Sequence, residues 1–417
     1  MDPFSSADLK DELSEGGKEA PKSPLSKNNI KIIIIFVAVI LLLIGIVVLA
    51  IVLLSNDDNS ESKSDDEKNS NPEEKTNPDK DTNSPSPVRR GDTTVSKEIS
   101  CIYSVNDINS KIPLLSEDFK NDDKAVVEIY INNEKISYTK EYNFIKTGNY
   151  NIHFILNSNV NIDNMFKDIK NIIAVKVFAD SKVNILSMKS VFEGCSNLVN
   201  VTINEKNFNT ENVKDMSKMF NGCKSLTNLD LSSLVTSSVK TMSNMFNHCE
   251  SLTSINLDNF NTESVNDMSY MFSNLYNLTY LSIDSFNTKN VNNMEYMFYN
   301  DYTIEDIDVS NFLTQNVQKM NGMFCNCSSL RQIKTENFNT KEVTSFDYTF
   351  TNCTNVKLLN LYSFNTLKCK SFKDMFSGCA HMIVEINEIV ENYNNLLEVI
   401  LDSDVNIRFV LEEIYEL

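Results

Sequence analysis

The chain has 417 residues, nine cysteines, no tryptophan and a formal net charge of -19. So acidic a chain lacks the basic stripe that releases counterions from phosphate, which excludes a nucleic-acid binder. Its surplus carboxylates read either as a solvated surface or as a preference for cationic partners or Ca2+.

Residues 1–31 are polar, with Pro21, Pro24 and the Gly16-Gly17 pair, and read as a disordered cytosolic tail. Residues 32–54, IIIIFVAVILLLIGIVVLAIVLL, carry no charge. As a helix this run would reach about 34 Å, enough to cross the hydrocarbon core, so it is expected to be an uncleaved transmembrane signal anchor. Lys18, Lys22, Lys27 and Lys31 precede it, and the next cations are Lys63 and Lys68. That bias predicts a single pass with the N-terminus cytosolic and a C-terminal ectodomain outside, at the plasma membrane or another surface membrane. Residues 55–98 are Ser, Asn, Asp, Glu, Lys and Pro and read as an acidic disordered stalk.

From 99 to 160 the pattern changes to short alternating runs: Val127-Ile129-Ile131, Tyr142-Phe144 and Tyr150-Ile152-Phe154-Leu156. Asn132-Asn133 and Gly148-Asn149 separate them, which predicts antiparallel strands. This β-rich module is placed either to cap the array that follows or to bind a ligand itself.

Residues 161–386 repeat. Phe166, Phe192, Phe220, Phe246, Phe272, Phe298, Phe324, Phe350 and Phe376 stand 26 residues apart, except for 28 between Phe192 and Phe220. A fixed period in this range is the mark of a solenoid. Within each unit Thr (210, 236, 262, 288, 314, 340, 366) stands as a helix N-cap. The apolar residues after it, such as Val213, Met216, Met219, Phe220 and Cys223, fit one face of a short helix. A strand half follows, Leu226, Leu229 and Leu231 or Leu252, Ile255 and Leu257. The expected fold is therefore an α/β repeat, a leucine-rich-repeat solenoid of parallel strands and short helices. After Cys379 the pattern fails: a strand, a helix near Glu388–Leu401 and a strand at Val405–Leu411 are expected, and residues 387–417 read as the C-terminal cap.

The string M-S-x-M-F-x-x-C-x-S-L-T-x-L-D-L-S-x-F-N-T is met well by Met216–Thr236 and Met242–Thr262. It resembles the BspA-type leucine-rich repeats of bacterial and protist surface proteins. That resemblance covers about residues 161–386 and implies a solenoid, a surface location, and adhesion to host or matrix proteins in some members. It brings no catalytic residues with it.

Cys195, Cys223, Cys249, Cys327, Cys353 and Cys379 share one slot of the repeat, with Leu275 and Asp301 in the two other units. A column of parallel side chains does not converge as four metal ligands must, and its rungs are too far apart for easy disulfides, so buried free thiols are expected. The Met-Phe stripe is read as core. His153, His248 and His381 have no partner that would make a nucleophile–base pair, and no phosphate loop or hydrolase motif is present. No catalytic, cofactor or metal site is expected. The outward strand positions form the expected ligand face: Asp230, Asp258, Tyr280, Asp284, Asp308, Lys334 and Tyr362. Sequons at Asn200, Asn277, Asn326 and Asn352 are possible glycosylation sites. The expected function is adhesion or recognition by a single-pass protein that binds a protein or glycan on other cells or matrix. The alternative is a structural coat that self-associates through its repeats.

Overall fold

The computed structural model describes residues 97–120, 122–179, 182–203, 207–387, 394–403 and 405–410. The expected tail, membrane anchor and nearly all of the stalk lie outside the described residues, as do residues 204–206 of the longer unit. The chain divides into two units, residues 1–89 and 90–417, and only the second contains described residues. Among these no helix is long and apolar enough to cross a membrane. The expected surface-membrane location is therefore corrected: the described residues provide no membrane span, and the apolar run at 32–54 is not among them.

Residues 97–161 form strands β1 (Lys97–Val105), β2 (Ile112–Pro113), β3 (Val126–Ile131), β4 (Glu134–Ile136), β5 (Glu141–Tyr142), β6 (Gly148–Leu156) and β7 (Asn159–Asn161), with a single turn of helix, α1 (Asp122–Ala125). Alternation along β1 buries Ile99, Cys101, Tyr103 and Val105, as a strand with one face on a core requires. The coils then contribute β8 (Ile172–Ala179), β9 (Val183–Ser187), β10 (Asn200–Thr202), β11 (Phe208–Asn209), β12 (Asn228–Asp230), β13 (Ser254–Asn256) and β14 (Leu358–Asn360). After them come β15 (Ile383–Asn387), α2 (Asn394–Leu401) and β16 (Asn406–Val410). One eight-stranded sheet runs β13-β12-β10-β8-β1-β6-β3-β4. Strands β8, β10, β12 and β13 pair in parallel, coil upon coil, whereas β1 pairs antiparallel with both β8 and β6. The first coil's edge is thus hydrogen-bonded to the β module. At the other end β14, β15 and β16 continue a parallel ladder.

The repeat is a β-solenoid turn of 26 residues with almost no helix, not the strand-plus-helix unit expected from the sequence. Two backbone facts exclude the helix. Each coil carries two left-handed residues four apart, such as Lys218 (φ 57°) and Gly222 (φ 75°), or Tyr270 (φ 55°) and Asn274 (φ 62°). An α-helix of L-residues requires negative φ throughout. Moreover, alternate amides leave the coil altogether: Met216, Lys218, Phe220 and Gly222 donate to Thr241 O, Ser243 O, Met245 O and Asn247 O at 3.1, 2.9, 2.9 and 2.8 Å. The amides between close tight turns, Met219 N to Met216 O (3.3 Å) and Cys223 N to Phe220 O (3.0 Å). Positive φ at the third residue of such a turn is what a type II turn demands, and Gly and Asn are the residues that accept it most readily.

The Thr column is also reassigned. Thr262 does not cap a helix: its hydroxyl donates to Asn287 O at 3.0 Å and accepts from Asn287 N at 2.8 Å, in the next coil. Thr210, Thr236, Thr314 and Thr340 do the same for their neighbours. Buried backbone groups at this corner are satisfied between coils, as buried amides and carbonyls must be.

The apolar stripe is core, as expected. Nine Phe rings from Phe166 to Phe376 stack in one column with centroids 5.5–6.1 Å apart. Val213, Met216, Met219 and Leu226 and their equivalents are buried around it. No coil closes its own core; each ring is covered by the coils before and after it.

Candidate functional site

The strand ladder presents one outward column per alternate residue. In its N-terminal half, short-range Asx turns end each strand: Ser232 N donates to Asp230 Oδ1 (3.0 Å) and Asp258 N to Asn256 Oδ1 (3.1 Å). The Ser232 amide holds the Asp230 carboxyl below its usual range. In the middle the continuous ladder thins to single bridges, Tyr280 to Asp306 and Ile333 to Leu359. Here Tyr280 stands out from the sheet, 68% exposed. Asp306, its bridge partner in the next coil, is exposed, as are Asp284 in the same coil and Asp258 in the preceding one.

The C-terminal half of the same face is neutralised internally. Lys334 Nζ lies 2.7 Å from Asp308 Oδ2, and its hydrogen bond, with those of Ser310, pulls the Asp308 carboxyl down to about 2. Tyr362 donates to Glu385 Oε2 at 3.0 Å, and burial together with that carboxylate raises its phenol to about 12. Arg408 reaches Glu385 Oε1 at 3.0 Å. The seven residues expected on the ligand face thus separate: Tyr280 with Asp258 and Asp284 is open, while Asp308, Lys334 and Tyr362 are tied to neighbours and Asp230 shapes a turn.

The thiol column has a definite role. Cys195, Cys223, Cys249, Cys327, Cys353 and Cys379 each donate to the carbonyl of the Phe one coil earlier, at 3.0–3.2 Å. All nine cysteines are buried, and none is in a disulfide. Burial raises the pKa of these six, to about 11 for Cys379, which removes the thiolate that redox or metal chemistry would use. His153 Nδ1 lies 3.1 Å from Glu98 Oε1, and His248 Nδ1 3.5 Å from Glu250 Oε1.

The sequons fall in two settings. Asn200 and Asn277 are exposed, the Asn277 amide donating to Glu250 O at 2.8 Å. Asn326 and Asn352 belong to a ladder in which Asn274, Asn300, Asn326 and Asn352 each donate to the preceding coil's Asn, at 2.7–2.9 Å. A glycan on either of these two would have to displace that ladder.

Sequence reasoning missed a second aromatic cluster, on the turn side. Tyr270 and Tyr296 stack at 4.9 Å, Tyr296 meets Tyr299 edge-on at 5.5 Å, and Tyr276 stacks on Tyr302 at 5.5 Å. One coil further, Gly322 takes the column position of Tyr270 and Tyr296. A Cβ there would lie 2.2 Å from Tyr296 Cε1. The signal is the spacing of Tyr270 and Tyr296, one period apart, and of Tyr348, two periods beyond Tyr296, positions that sequence reasoning did not single out.

These features define a repeat β-solenoid with one open, partly acidic strand face. The family model of the Mycoplasma proteins of unknown function, DUF285, matches residues 160–279, 252–357 and 301–400. Together these matches span residues 160–400, more than half of the chain, so the chain belongs to that family. No curated protein matches it.

Proposed function

We propose that this chain is a non-catalytic binding module that engages a protein partner through the middle of its strand face. The observation that carries this is Tyr280, an aromatic side chain held 68% exposed on a hydrogen-bonded ladder. Tyrosine at the centre of an ordered surface is the residue type that dominates protein hot spots. Asp306 bridges to it from the next coil, and Asp284 and Asp258 are exposed on its own and the preceding coil, an acidic character that complements a partner rich in Lys and Arg. The buried thiols, each bonded to a carbonyl, support binding rather than covalent chemistry. The likeness of Met242–Thr262 to BspA-type repeats, some of which bind host or matrix proteins, supports the same reading.

The test is equilibrium binding of a panel of Lys- and Arg-rich peptides to the full chain. Tyr280→Ala is expected to weaken binding about 30-fold, the scale of a hot-spot truncation of about 2 kcal/mol. Asp284→Asn should mainly slow association and flatten its salt dependence. Binding left unchanged by Tyr280→Ala would refute the assignment of this face.

A further inference from the structure

One coil departs from the thiol column in a way that its neighbours make legible. Asp301 occupies the slot, with 0% exposure. Its Oδ1 accepts the Leu275 amide at 2.9 Å. Elsewhere that amide closes a turn on the Phe carbonyl of its own coil, as Cys223 N does on Phe220 O at 3.0 Å and Cys249 N on Phe246 O at 3.1 Å. By the register that pairs Cys327 with Phe298 O at 3.0 Å, the carbonyl that corresponds to this slot in the preceding coil is Phe272 O, which a thiol would serve as donor. Asp301 Oδ2 is buried and has no hydrogen-bond donor directed at it. An ionised carboxylate is a pure acceptor, so a charged Asp301 would leave one buried oxygen uncompensated and would set it against a column of backbone carbonyls.

We propose that Asp301 is held in the fold as a neutral carboxylic acid that donates its Oδ2 proton to the Phe272 carbonyl, taking over the role of the missing thiol and making this coil junction an alkaline-sensitive latch. The titratable group facing it from the following coil is Cys327, with Cys325 beyond. From the preceding coil it meets the Leu275 amide. Burial drives the acid's pKa well above its ordinary value, against the smaller opposing effect of that amide. The junction lies in the middle of the array, where Tyr280 bridges to Asp306 and Asp267 to Asn293 between the same two coils.

The sign follows from linkage. Between the ordinary carboxylate pKa and the raised one, the folded chain holds a proton that the unfolded chain has released. Stability contributed by the neutral acid is therefore fully present at low pH and is lost as pH rises through that window. Asp301→Asn keeps both hydrogen bonds without titrating, since its amide donates and its carbonyl accepts. Asp301→Cys restores the slot residue of the other coils.

The experiment is urea unfolding of the full chain and both variants from acid to alkaline pH, with infrared spectroscopy of the carboxylic-acid carbonyl stretch. The ratio of the parent's unfolding constant to that of Asp301→Asn is expected to rise tenfold per pH unit across the window, the slope of one proton. The parent at neutral pH should show a protonated-acid band that both variants lack. A pH-independent ratio, or no such band in the parent, would overturn the proposal. Should the Asn variant not fold, Asp301→Cys supplies the same comparison at pH values below thiol ionisation, and the parent's band decides independently.

Discussion

Replacing Thr262 by Val keeps the shape of a buried side chain and removes one hydroxyl. That hydroxyl serves both Asn287 O, at 3.0 Å, and Asn287 N, at 2.8 Å, in the following coil. Thr262 is fully buried, so water cannot replace it. Leaving a buried amide and a buried carbonyl unsatisfied costs about 1–3 kcal/mol each, which gives a loss of about 2–6 kcal/mol. Thr262→Ser keeps both bonds and removes one methyl group, at a cost of about 1 kcal/mol. A helix-capping threonine would behave differently, losing only about 1 kcal/mol on removal of its hydroxyl. Against a total stability on the order of 5–15 kcal/mol the difference is large. Urea unfolding followed by circular dichroism and tyrosine fluorescence reads it directly, since the chain has no tryptophan. A Val variant no less stable than the Ser variant would refute the role given to this column.

The Phe column makes a positional prediction. Phe272 lies between Phe246 at 5.7 Å and Phe298 at 5.9 Å, whereas Phe376 stacks on Phe350 at 5.9 Å at the end of the column. Phe272→Ala should cost about 3–5 kcal/mol and split the unfolding transition, while Phe376→Ala should cost less and leave one transition, as denaturation curves will show. Gly322 has φ 58° and no room for a Cβ beside Tyr296. Gly322→Ala should destabilise by about 1–2 kcal/mol or more and change the near-ultraviolet signal of the stacked tyrosines; an unchanged spectrum and stability would contradict the packing described.

The period, the buried stripe and the core were legible because burial in a stacked coil imposes its spacing directly on Phe, Met and Leu. What the sequence did not show was how the backbone travels between them. Offsets such as those of Val213, Met216, Met219, Phe220 and Cys223 suit a helix and a run of tight turns alike, since both bring residues three and four apart to one side. The deciding evidence was the left-handed conformation at Lys218, Tyr270, Tyr296 and Tyr348. Lys and Tyr do not advertise that conformation as Gly or Asn would. The companion positions Gly222, Asn274, Asn300, Asn326 and Asn352 did carry the signal, and the abundance of Asn in the whole chain hid it. On the candidate site, alternation predicted an outward column of Asp230, Asp258, Tyr280, Asp284, Asp308, Lys334 and Tyr362; Asp258, Asp284 and Tyr362 stand in the turns that follow the strand positions. Their pairing was not legible, because Lys334 with Asp308 and Tyr362 with Glu385 are contacts between coils, separated by 26 and 23 residues.

The account rests on coils wound from turns and bonded to one another, with helix confined to the 4 residues of α1 and the 8 of α2 among those described. Far-ultraviolet circular dichroism of the compact unit, residues 90–417, tests this most directly. A spectrum of turns and strands with only a trace of helix is predicted; a strong helical double minimum, as a helix in each repeat would give, would contradict it.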